Sequence, residues 1–196
     1  MIRRLLKFAL GLLVLILLSS CGRALPHFNG TDITGTNFGR NFKLLDTDGV
    51  QRTLADFQGK YVILFFGFAH CPAICPTTLQ QLATVRKKLG ADASHLQVIF
   101  VTLDPERDTS EMLKTYMARF DPSFVALRSD AEATQATAKE FHIFFQKVPV
   151  DDAYMIDHTA VLYMLDTQGK MRLATPLDMA SDKIVADLQT LMKQGE

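Results

Sequence analysis

The chain has 196 residues, with 21 basic side chains, 21 acidic ones and three cysteines. Without its first 20 residues it carries 18 basic and 21 acidic residues and shows no dense basic cluster. This balance argues against a nucleic-acid-binding protein. The remaining length of roughly 175 residues is sufficient for one domain with a hydrophobic core.

The N-terminus has the pattern of a bacterial export signal. Three basic residues precede an apolar run, Phe8–Leu18, that is too short to be assigned as a membrane-spanning helix. The run ends in Leu18-Ser19-Ser20-Cys21, which resembles a lipoprotein box and implies cleavage before Cys21 and a lipid on its sulfur. The alternative is an uncleaved N-terminal anchor with a free Cys21 thiol. In both cases we expect the protein in the bacterial cell envelope, facing the periplasm or another extracytoplasmic space, where disulfides persist.

These features divide the chain into three parts. We predict a signal peptide over residues 1–20, a lipidated cysteine with a tether over residues 21–40, and one domain over residues 41–196. The tether is assigned because residues 22–40 are polar and rich in Gly, Thr and Asn.

The first half of the domain begins with a hairpin pattern and then alternates strand and helix. Thr47-Asp48-Gly49 separates two short strand-like stretches, which predicts a hairpin. The continuous apolar run Tyr61–Phe68 is typical of a strand buried on both faces. Pro76 suits the first turn of a helix that ends near Gly90. A second buried strand is predicted over Leu96–Leu103.

The second half contains two capping patterns and several more strands. Asp108 and Glu111 resemble a capping box, with Asp108 as the N-cap of a helix that reaches about Arg119. The other predicted elements are strands at Phe124–Leu127, Ile143–Val148, Thr159–Leu165 and Lys170–Thr175, a helix from a cap at Ser129 to Phe141, and a last helix capped by Ser181. The alternation of strands and helices predicts an α/β fold with a parallel core, to which the late hairpin adds an antiparallel pair.

Cys71 and Cys75 follow the first buried strand directly, at the expected start of a helix. Unpaired backbone N–H groups and the helix dipole at such a position lower the pKa of a cysteine. The resulting thiolate is both a nucleophile and a metal ligand. Three residues separate the cysteines, one more than in thiol oxidoreductases of the thioredoxin type, and the larger loop lets both sulfurs converge on one ion. The residues alone therefore leave disulfide exchange and binding of a soft metal both open.

His158 is the candidate third ligand of such a metal. Two thiolates and one imidazole form a donor set suited to Cu(I), and a weaker fourth donor extends it to Cu(II). We expect His158 at the start of a strand, where it faces the cysteine helix. Its neighbour Asp157 is the candidate for a hydrogen bond that orients the imidazole ring.

Three segments together resemble the Sco/SenC family of copper proteins. They are Gly67–Leu79 with the two cysteines, Thr102–Thr109 with its Asp-Pro-Glu-Arg-Asp core, and Asp157-His158-Thr159. The resemblance extends, in order of elements, from about Phe42 to Met192. It implies a thioredoxin-like α/β fold with a mixed central sheet flanked by helices and an N-terminal hairpin extension. It also implies a membrane-anchored protein that assists assembly of the binuclear copper centre of cytochrome c oxidase.

The resemblance assigns roles to individual residues. It makes Cys71, Cys75 and His158 the copper ligands, for Cu(I), Cu(II) or both. It places Asp104 near the site and makes Arg107 part of the loop that supports it. The implied partner is the copper-centre subunit of cytochrome c oxidase or another copper-accepting protein, and the implied contact with the membrane is the lipid anchor.

Two functions remain open at this point. The first is a copper metallochaperone, which is not a dedicated enzyme. The second is a thiol–disulfide oxidoreductase, in which Cys71 and Cys75 form the redox pair that reduces target cysteines before they take up metal. The cysteine spacing and His158 favour the first. Many family members carry an acidic residue between the cysteines where this chain has Ala73, which puts the preference between copper states in question.

Overall fold

A computed structural model describes residues 27–195 of the chain. The predicted signal peptide and Cys21 lie outside the described residues. Within the described range, no helix is both long and apolar enough to span a bilayer.

The strands between residues 27 and 195 form one large sheet and one separate hairpin. Their bounds are β1 Thr31–Asp32, β2 Leu44–Asp46, β3 Gln51–Arg52, β4 Tyr61–Gly67, β5 Leu96–Thr102, β6 Val125–Arg128, β7 Phe145–Val150, β8 Ala153–His158, β9 Val161–Leu165 and β10 Met171–Pro176. The large sheet has the order β1-β10-β9-β4-β5-β6-β2-β3, and β7 pairs only with β8. Strands β4, β5 and β6 are parallel, and the other neighbours are antiparallel. This is the mixed sheet that the sequence predicts, with the β2–β3 hairpin at one edge.

Four α-helices accompany the strands in the described range. They are α1 Ile74–Leu89, α2 Ser110–Ala118, α3 Ala131–Glu140 and α4 Ser181–Gly195. Helices α1 and α4 pack against each other. A short 3-10 turn at Leu54–Phe57 connects β3 to β4, and another at Gly90–His95 connects α1 to β5.

Strand β4 is the centre of the core, and all seven of its residues are buried. Successive side chains of a strand point to opposite faces of the sheet. Phe65 contacts Phe100 on one face, while Phe66 contacts Phe141, which follows α3, on the other. Burial of each such ring contributes about 1.5–3 kcal/mol. Cover on both faces explains why the sequence of β4 is continuously apolar rather than alternating.

The described part of the predicted tether belongs to the domain. Thr31 pairs with Ala174 and thereby adds β1 to the edge of the sheet. The carboxylate of Asp187 in α4 is buried and accepts hydrogen bonds from the backbone N–H groups of Asn29 and Gly30 at 2.8 Å each. The predicted boundary at residue 41 is therefore too late. The polar composition of the predicted tether gives no sign of these contacts, because backbone groups make them.

The hairpin β7–β8 shows that the predicted position of His158 is wrong. We expected His158 at the start of a strand, but it ends β8, a strand that the sequence analysis missed. The turn between β7 and β8 is made by two aspartates, and Asp151 adopts a positive φ of 51° without the glycine that usually marks such a turn.

Two of the three predicted helix caps are displaced by one residue, and the third, Ser181, is the first residue of its helix. The side chain of Thr109, not that of Asp108, accepts the capping hydrogen bond from the Met112 N–H. Likewise Asp130, not the residue before it, caps α3 by accepting from the Ala133 N–H. The Asp108 carboxylate accepts hydrogen bonds from other parts of the fold instead.

Candidate metal centre

The cysteine motif lies where β4 ends and α1 begins. The helix starts at Ile74, so Cys75 lies inside its first turn and Cys71 lies before it. Gly67 makes room for this arrangement, because a Cβ atom there would lie 3.0 Å from the Cys75 sulfur and 3.0 Å from the Phe100 ring. Contacts that short are tighter than nine in ten real Cβ contacts, so the sulfur and the ring would have to shift by a few tenths of an ångström.

Cys71 takes the place of an N-terminal cap for α1. The N-cap residue, Ala73, has no side-chain acceptor to offer, and the Cys71 Sγ accepts a hydrogen bond from the Cys75 N–H at 3.4 Å. The hydrogen bond from the Cys75 thiol lowers the pKa of Cys71 from 9.0 to about 5, and backbone N–H groups of Cys75, Ala73 and Ile74 add to the effect against the opposing effect of burial. Cys71 is therefore a thiolate at neutral pH.

Cys75 has the opposite character. Its side chain is fully buried, whereas that of Cys71 is 9% exposed. Its role as hydrogen-bond donor to Cys71, together with burial, raises the pKa of Cys75 above its ordinary value. Both cysteines are free thiols in the structure. The pair thus combines a slightly exposed thiolate with a fully buried protonated thiol.

His158 faces the same crevice as Cys71. The crevice has a volume of about 320 Å³ and lies between the cysteine loop and β8; it is lined by Phe68, Cys71, Pro72, Ala73, Ile74, Met155, Ile156, Asp157, His158, Ala160 and Leu177. The Nδ1 atom of His158 lies 3.0 Å from the Thr159 carbonyl oxygen. When Nδ1 carries the proton and donates to this oxygen, Nε2 keeps its lone pair free for a metal.

Asp157 does not orient the His158 ring. Its side chain is exposed at the mouth of the crevice, and the partner of His158 Nδ1 is the Thr159 backbone carbonyl. Adjacent residues on a strand point to opposite faces, which explains why the neighbouring carboxylate is a poor partner for this ring.

Asp104 lies beneath the hairpin rather than in the crevice wall. Its buried carboxylate forms an ion pair with Arg107 and accepts a hydrogen bond from the Tyr154 hydroxyl at 2.8 Å. Arg107 also donates to the Tyr154 carbonyl at 2.9 Å and stacks over the Tyr154 ring at 3.7 Å. Because Tyr154 lies in β8, these contacts fix the strand that carries His158.

Asp108 is a site residue that the sequence analysis assigned to a helix cap. Its carboxylate is fully buried. It accepts hydrogen bonds from the Ala69 N–H at 2.9 Å and the Thr102 hydroxyl at 2.5 Å, and it lies 3.3 Å from His70 Nδ1. These contacts hold the turn that leads into Cys71. No local pattern reveals this role, because Ala69 and His70 lie in the loop after β4 and Thr102 ends β5.

Asp108 and Asp104 also come close to His70. One potential ligand atom from each of the three lies within 4.8 Å of the others. The two carboxylates are already occupied by the contacts described above, and they are oxygen donors that suit hard cations rather than copper. We interpret this group as an internal brace of the cysteine loop.

The predicted donors suit a soft metal ion by type, although only Cys71 and His158 line the crevice and Cys75 is fully buried. Within residues 27–195 the ligand atoms of these three do not all lie within 4.8 Å of one another. Cys71 supplies a thiolate, Cys75 supplies a second sulfur once it loses its proton, and His158 supplies an imidazole nitrogen. Thiolates select Cu(I) and Zn(II), and imidazole suits copper and zinc. The surrounding wall is mostly apolar, which keeps water away from the sulfur atoms.

Comparisons with known proteins place the chain in a family. The relatives found include the mitochondrial SCO2 homologue of Danio rerio, 38% identical over 133 residues; the match covers 66% of this chain and 48% of that protein. The chain therefore spans about half the length of the vertebrate relatives that it matches.

Solved structures agree with this placement. The structure of Bradyrhizobium japonicum ScoI with copper bound has a TM-score of 0.73 and 34% identity, covering 79% of this chain and 99% of that one. The solution structure of apo Sco1 from Thermus thermophilus has a TM-score of 0.76 and 39% identity, covering 86% and 99%. These neighbours confirm the predicted thioredoxin-like fold. Since the family model described as SCO1/SenC also matches residues 30–193, the chain belongs to the SCO1/SenC family.

Proposed function

We propose that this protein binds one copper ion between Cys71, Cys75 and His158 and delivers it during assembly of the binuclear copper centre of cytochrome c oxidase. The observation that carries the proposal is the presence of the Cys71 thiolate and His158 in one crevice, although they are remote in sequence. The copper-bound state of the related Bradyrhizobium protein supports it. A solved relative is described as a member of the Sco family of cytochrome c oxidase assembly proteins, which agrees with this role.

The geometry suggests an order of events for copper capture. Cys71 is ionised and lines the crevice, whereas Cys75 does not, so Cys71 meets incoming Cu(I) first. Cys75 must lose its proton to become the second ligand, and the positive charge of the bound ion offsets the burial that holds this proton in place. One proton is therefore released from the buried thiol on binding. An acceptor with its own thiolates reverses the process by ligand exchange.

The same pair of cysteines also supports a second candidate function, thiol–disulfide exchange. The Cys71 thiolate attacks a target disulfide, forms a mixed disulfide and expels one target thiolate. Cys75 then loses its proton and attacks the Cys71 sulfur, which releases the second target thiolate and leaves a Cys71–Cys75 disulfide. The target is reduced by two electrons and the protein is oxidised by two. The observation that favours this function is the low pKa of Cys71 beside a buried thiol.

The variant His158→Ala separates the two functions. It keeps both sulfur atoms for exchange but removes the nitrogen ligand. In cells whose own copy is replaced by this variant, we expect loss of copper retention and failure of oxidase assembly. Intact assembly without copper retention would assign the main role to thiol reduction. Cys71→Ser is the control, since it disables both functions.

We also propose that the domain is attached to the membrane by a lipid on Cys21. The proposal rests on the lipobox-like Leu18–Cys21 segment, and stable attachment requires more than one acyl chain. Cys21→Ser is expected to block processing and lipid labelling and to leave the precursor held by its apolar segment. Normal cleavage and labelling of this variant would refute the assignment.

A further inference from the structure

The mouth of the crevice is apolar except for one carboxylate. Among residues 27–195, Asp157 is the only acidic residue that lines the crevice, and no lysine or arginine of this range does so. A partner whose sulfur atom reacts with Cys71, or takes copper from it, must approach through this mouth. The character of the surrounding surface therefore selects the partner.

An apolar surface extends from the crevice on both sides. Ile74, at the start of α1, is 43% exposed. Across the hairpin, Val148 pairs with the crevice residue Met155, and Val150 pairs with Ala153; directly opposed residues share one face of a sheet. Val148 and Val150 are 37% and 46% exposed. We call Ile74, Val148, Val150 and Met155 the apolar rim.

Carboxylates without counter-ions surround the apolar rim. Asp157 lies at the mouth, Asp178 follows the crevice residue Leu177, and Asp151 and Asp152 form the tip of the hairpin. All four are exposed, and none forms an ion pair with another residue between 27 and 195. We call these four the carboxylate group.

The one lysine of the hairpin does not neutralise this charge. Lys147 is paired with Glu106 at 2.6 Å and stacks against the Tyr154 ring at 4.5 Å. Its neighbours Gln146 and Val148 lie on the other face of β7, because successive residues of a strand alternate. The hairpin therefore supplies no counter-ion to the carboxylate group beside the apolar rim.

We propose that this surface docks a protein loop in which a cysteine stands between apolar side chains and is flanked by lysines or arginines. Apolar neighbours of the cysteine would bury the apolar rim. The flanking cations are attracted to the carboxylate group, which raises the rate of association. Negatively charged lipid headgroups are repelled by the same carboxylates. The inference rests on the proposed function, which requires an incoming sulfur, and it adds the chemistry of the partner.

The test uses two synthetic peptides and the reduced, copper-free domain of residues 27–195. Each peptide has one cysteine between two leucines; one peptide is flanked by four lysines and the other by four glutamates. The peptide cysteine is joined to thionitrobenzoate by a disulfide. The Cys71 thiolate attacks the peptide sulfur, the bond to thionitrobenzoate breaks, and the yellow thionitrobenzoate anion leaves. Its absorbance gives the second-order rate constant for each peptide.

We expect the lysine peptide to react about tenfold faster than the glutamate peptide at low ionic strength, with a much smaller ratio at about 0.5 M salt. The negative charge of the Cys71 thiolate also favours the lysine peptide. The share of the carboxylate group is therefore measured with variants that remove individual carboxylates. The double change Asp157→Asn and Asp178→Asn is expected to lower the ratio about threefold. Asp92→Asn, which removes an exposed carboxylate at the opposite end of the sheet, is expected to leave the ratio unchanged.

The apolar rim is tested in the same assay. The double change Val148→Ser and Val150→Ser is expected to slow both peptides at least about twofold. Val50→Ser removes a valine that is 48% exposed in another hairpin and is expected to slow neither. An unchanged charge ratio in the Asp157→Asn, Asp178→Asn variant, or binding of the domain to vesicles of anionic lipid, would overturn the inference. None of these measurements involves copper, so they are independent of whether the domain binds the metal.

Discussion

The backbone N–H of Cys75 donates a hydrogen bond to the Cys71 sulfur across 3.4 Å. The spacing of four residues places one sulfur in front of the helix and the other inside its first turn. As a result the helix N-terminus stabilises negative charge on Cys71, while the Cys75 thiol donates to it from a buried position. The two cysteines of a symmetric-looking motif thus have unequal acidity before any metal binds.

This inequality predicts the pH profile of Cys71 reactivity. Iodoacetamide should modify one cysteine of the reduced domain with an apparent pKa of about 5, which is the pKa of Cys71. In Cys75→Ala, which lacks the donor thiol, the apparent pKa should rise by at least about one unit, while the backbone N–H groups keep it below 9.0. Mass spectrometry of modified peptides identifies the site. Preferential modification of Cys75 in the unmutated domain would contradict the assignment.

The same pKa values predict how stability depends on pH. The folded pKa of Cys71 is lowered from 9.0 to about 5, so between these values the unfolded chain binds more protons than the folded one. The contribution of Cys71 to the free energy of unfolding is therefore fully present above about pH 9 and is lost as the pH falls to about 5. Cys75, whose pKa is raised, acts in the opposite sense above about pH 9.

Urea unfolding of the reduced, copper-free domain checks this linkage. The difference in unfolding free energy between the unmutated domain and Cys71→Ala should grow in favour of the former from pH 5 to pH 8.5, a range chosen to lie below about pH 9, where Cys75 begins to count. A difference that is constant with pH would show that the Cys71 pKa is the same in both states.

The contacts under the hairpin predict a specific effect of Tyr154→Phe. This change removes the 2.8 Å hydrogen bond to Asp104 and should cost about 1 kcal/mol. Amide hydrogen exchange in β7 and β8 should accelerate, and copper affinity should fall because His158 ends β8. Tyr163→Phe is the matched control, since it removes a hydroxyl bonded to the Phe141 carbonyl at 3.0 Å in the core. Equal exchange in β8 for both variants would refute the bracing role.

The attachment of the N-terminal segment predicts the effect of Asp187→Ala. The variant leaves the N–H groups of Asn29 and Gly30 and the Asn29 side chain without their acceptor. It should cost about 1–3 kcal/mol and remove exchange protection at Gly30. Asp182→Ala, at a side chain that is 82% exposed, is the control and should cost less than about 1 kcal/mol. Retained protection at Gly30 in Asp187→Ala would show that β1 alone holds the segment.

The parts of the fold that the sequence predicts are those with a local cause. The apolar run of β4 requires burial on both faces, and the strand–CxxxC–helix order places the cysteines at a helix N-terminus. The missed features depend on remote partners. Strand β1 exists because Thr31 meets Ala174, and its own two residues carry no strand signal.

The candidate site shows the same division. Cys71, Cys75 and His158 are predicted from the motifs, and their role as copper ligands stays a prediction. Asp108 is misassigned because its local pattern fits a cap equally well. Its carboxylate instead meets the Ala69 N–H and the Thr102 hydroxyl, which are brought to it by the β4–β5 pairing. A buried donor without a partner costs more than an imperfect cap, so the tertiary contact prevails and Thr109 serves as the cap.

Copper binding by Cys71, Cys75 and His158 is tested most directly by the X-ray absorption spectrum and the copper content of the reduced domain of residues 27–195 loaded with Cu(I). We expect one copper per chain with two sulfur ligands and one nitrogen ligand. In His158→Ala copper binding should weaken, and the copper that still binds at saturating concentration should keep both sulfur ligands and lose the nitrogen. In the Cys71→Ser, Cys75→Ser double variant tight binding should disappear, and unchanged copper content in that variant would show that the copper is bound elsewhere.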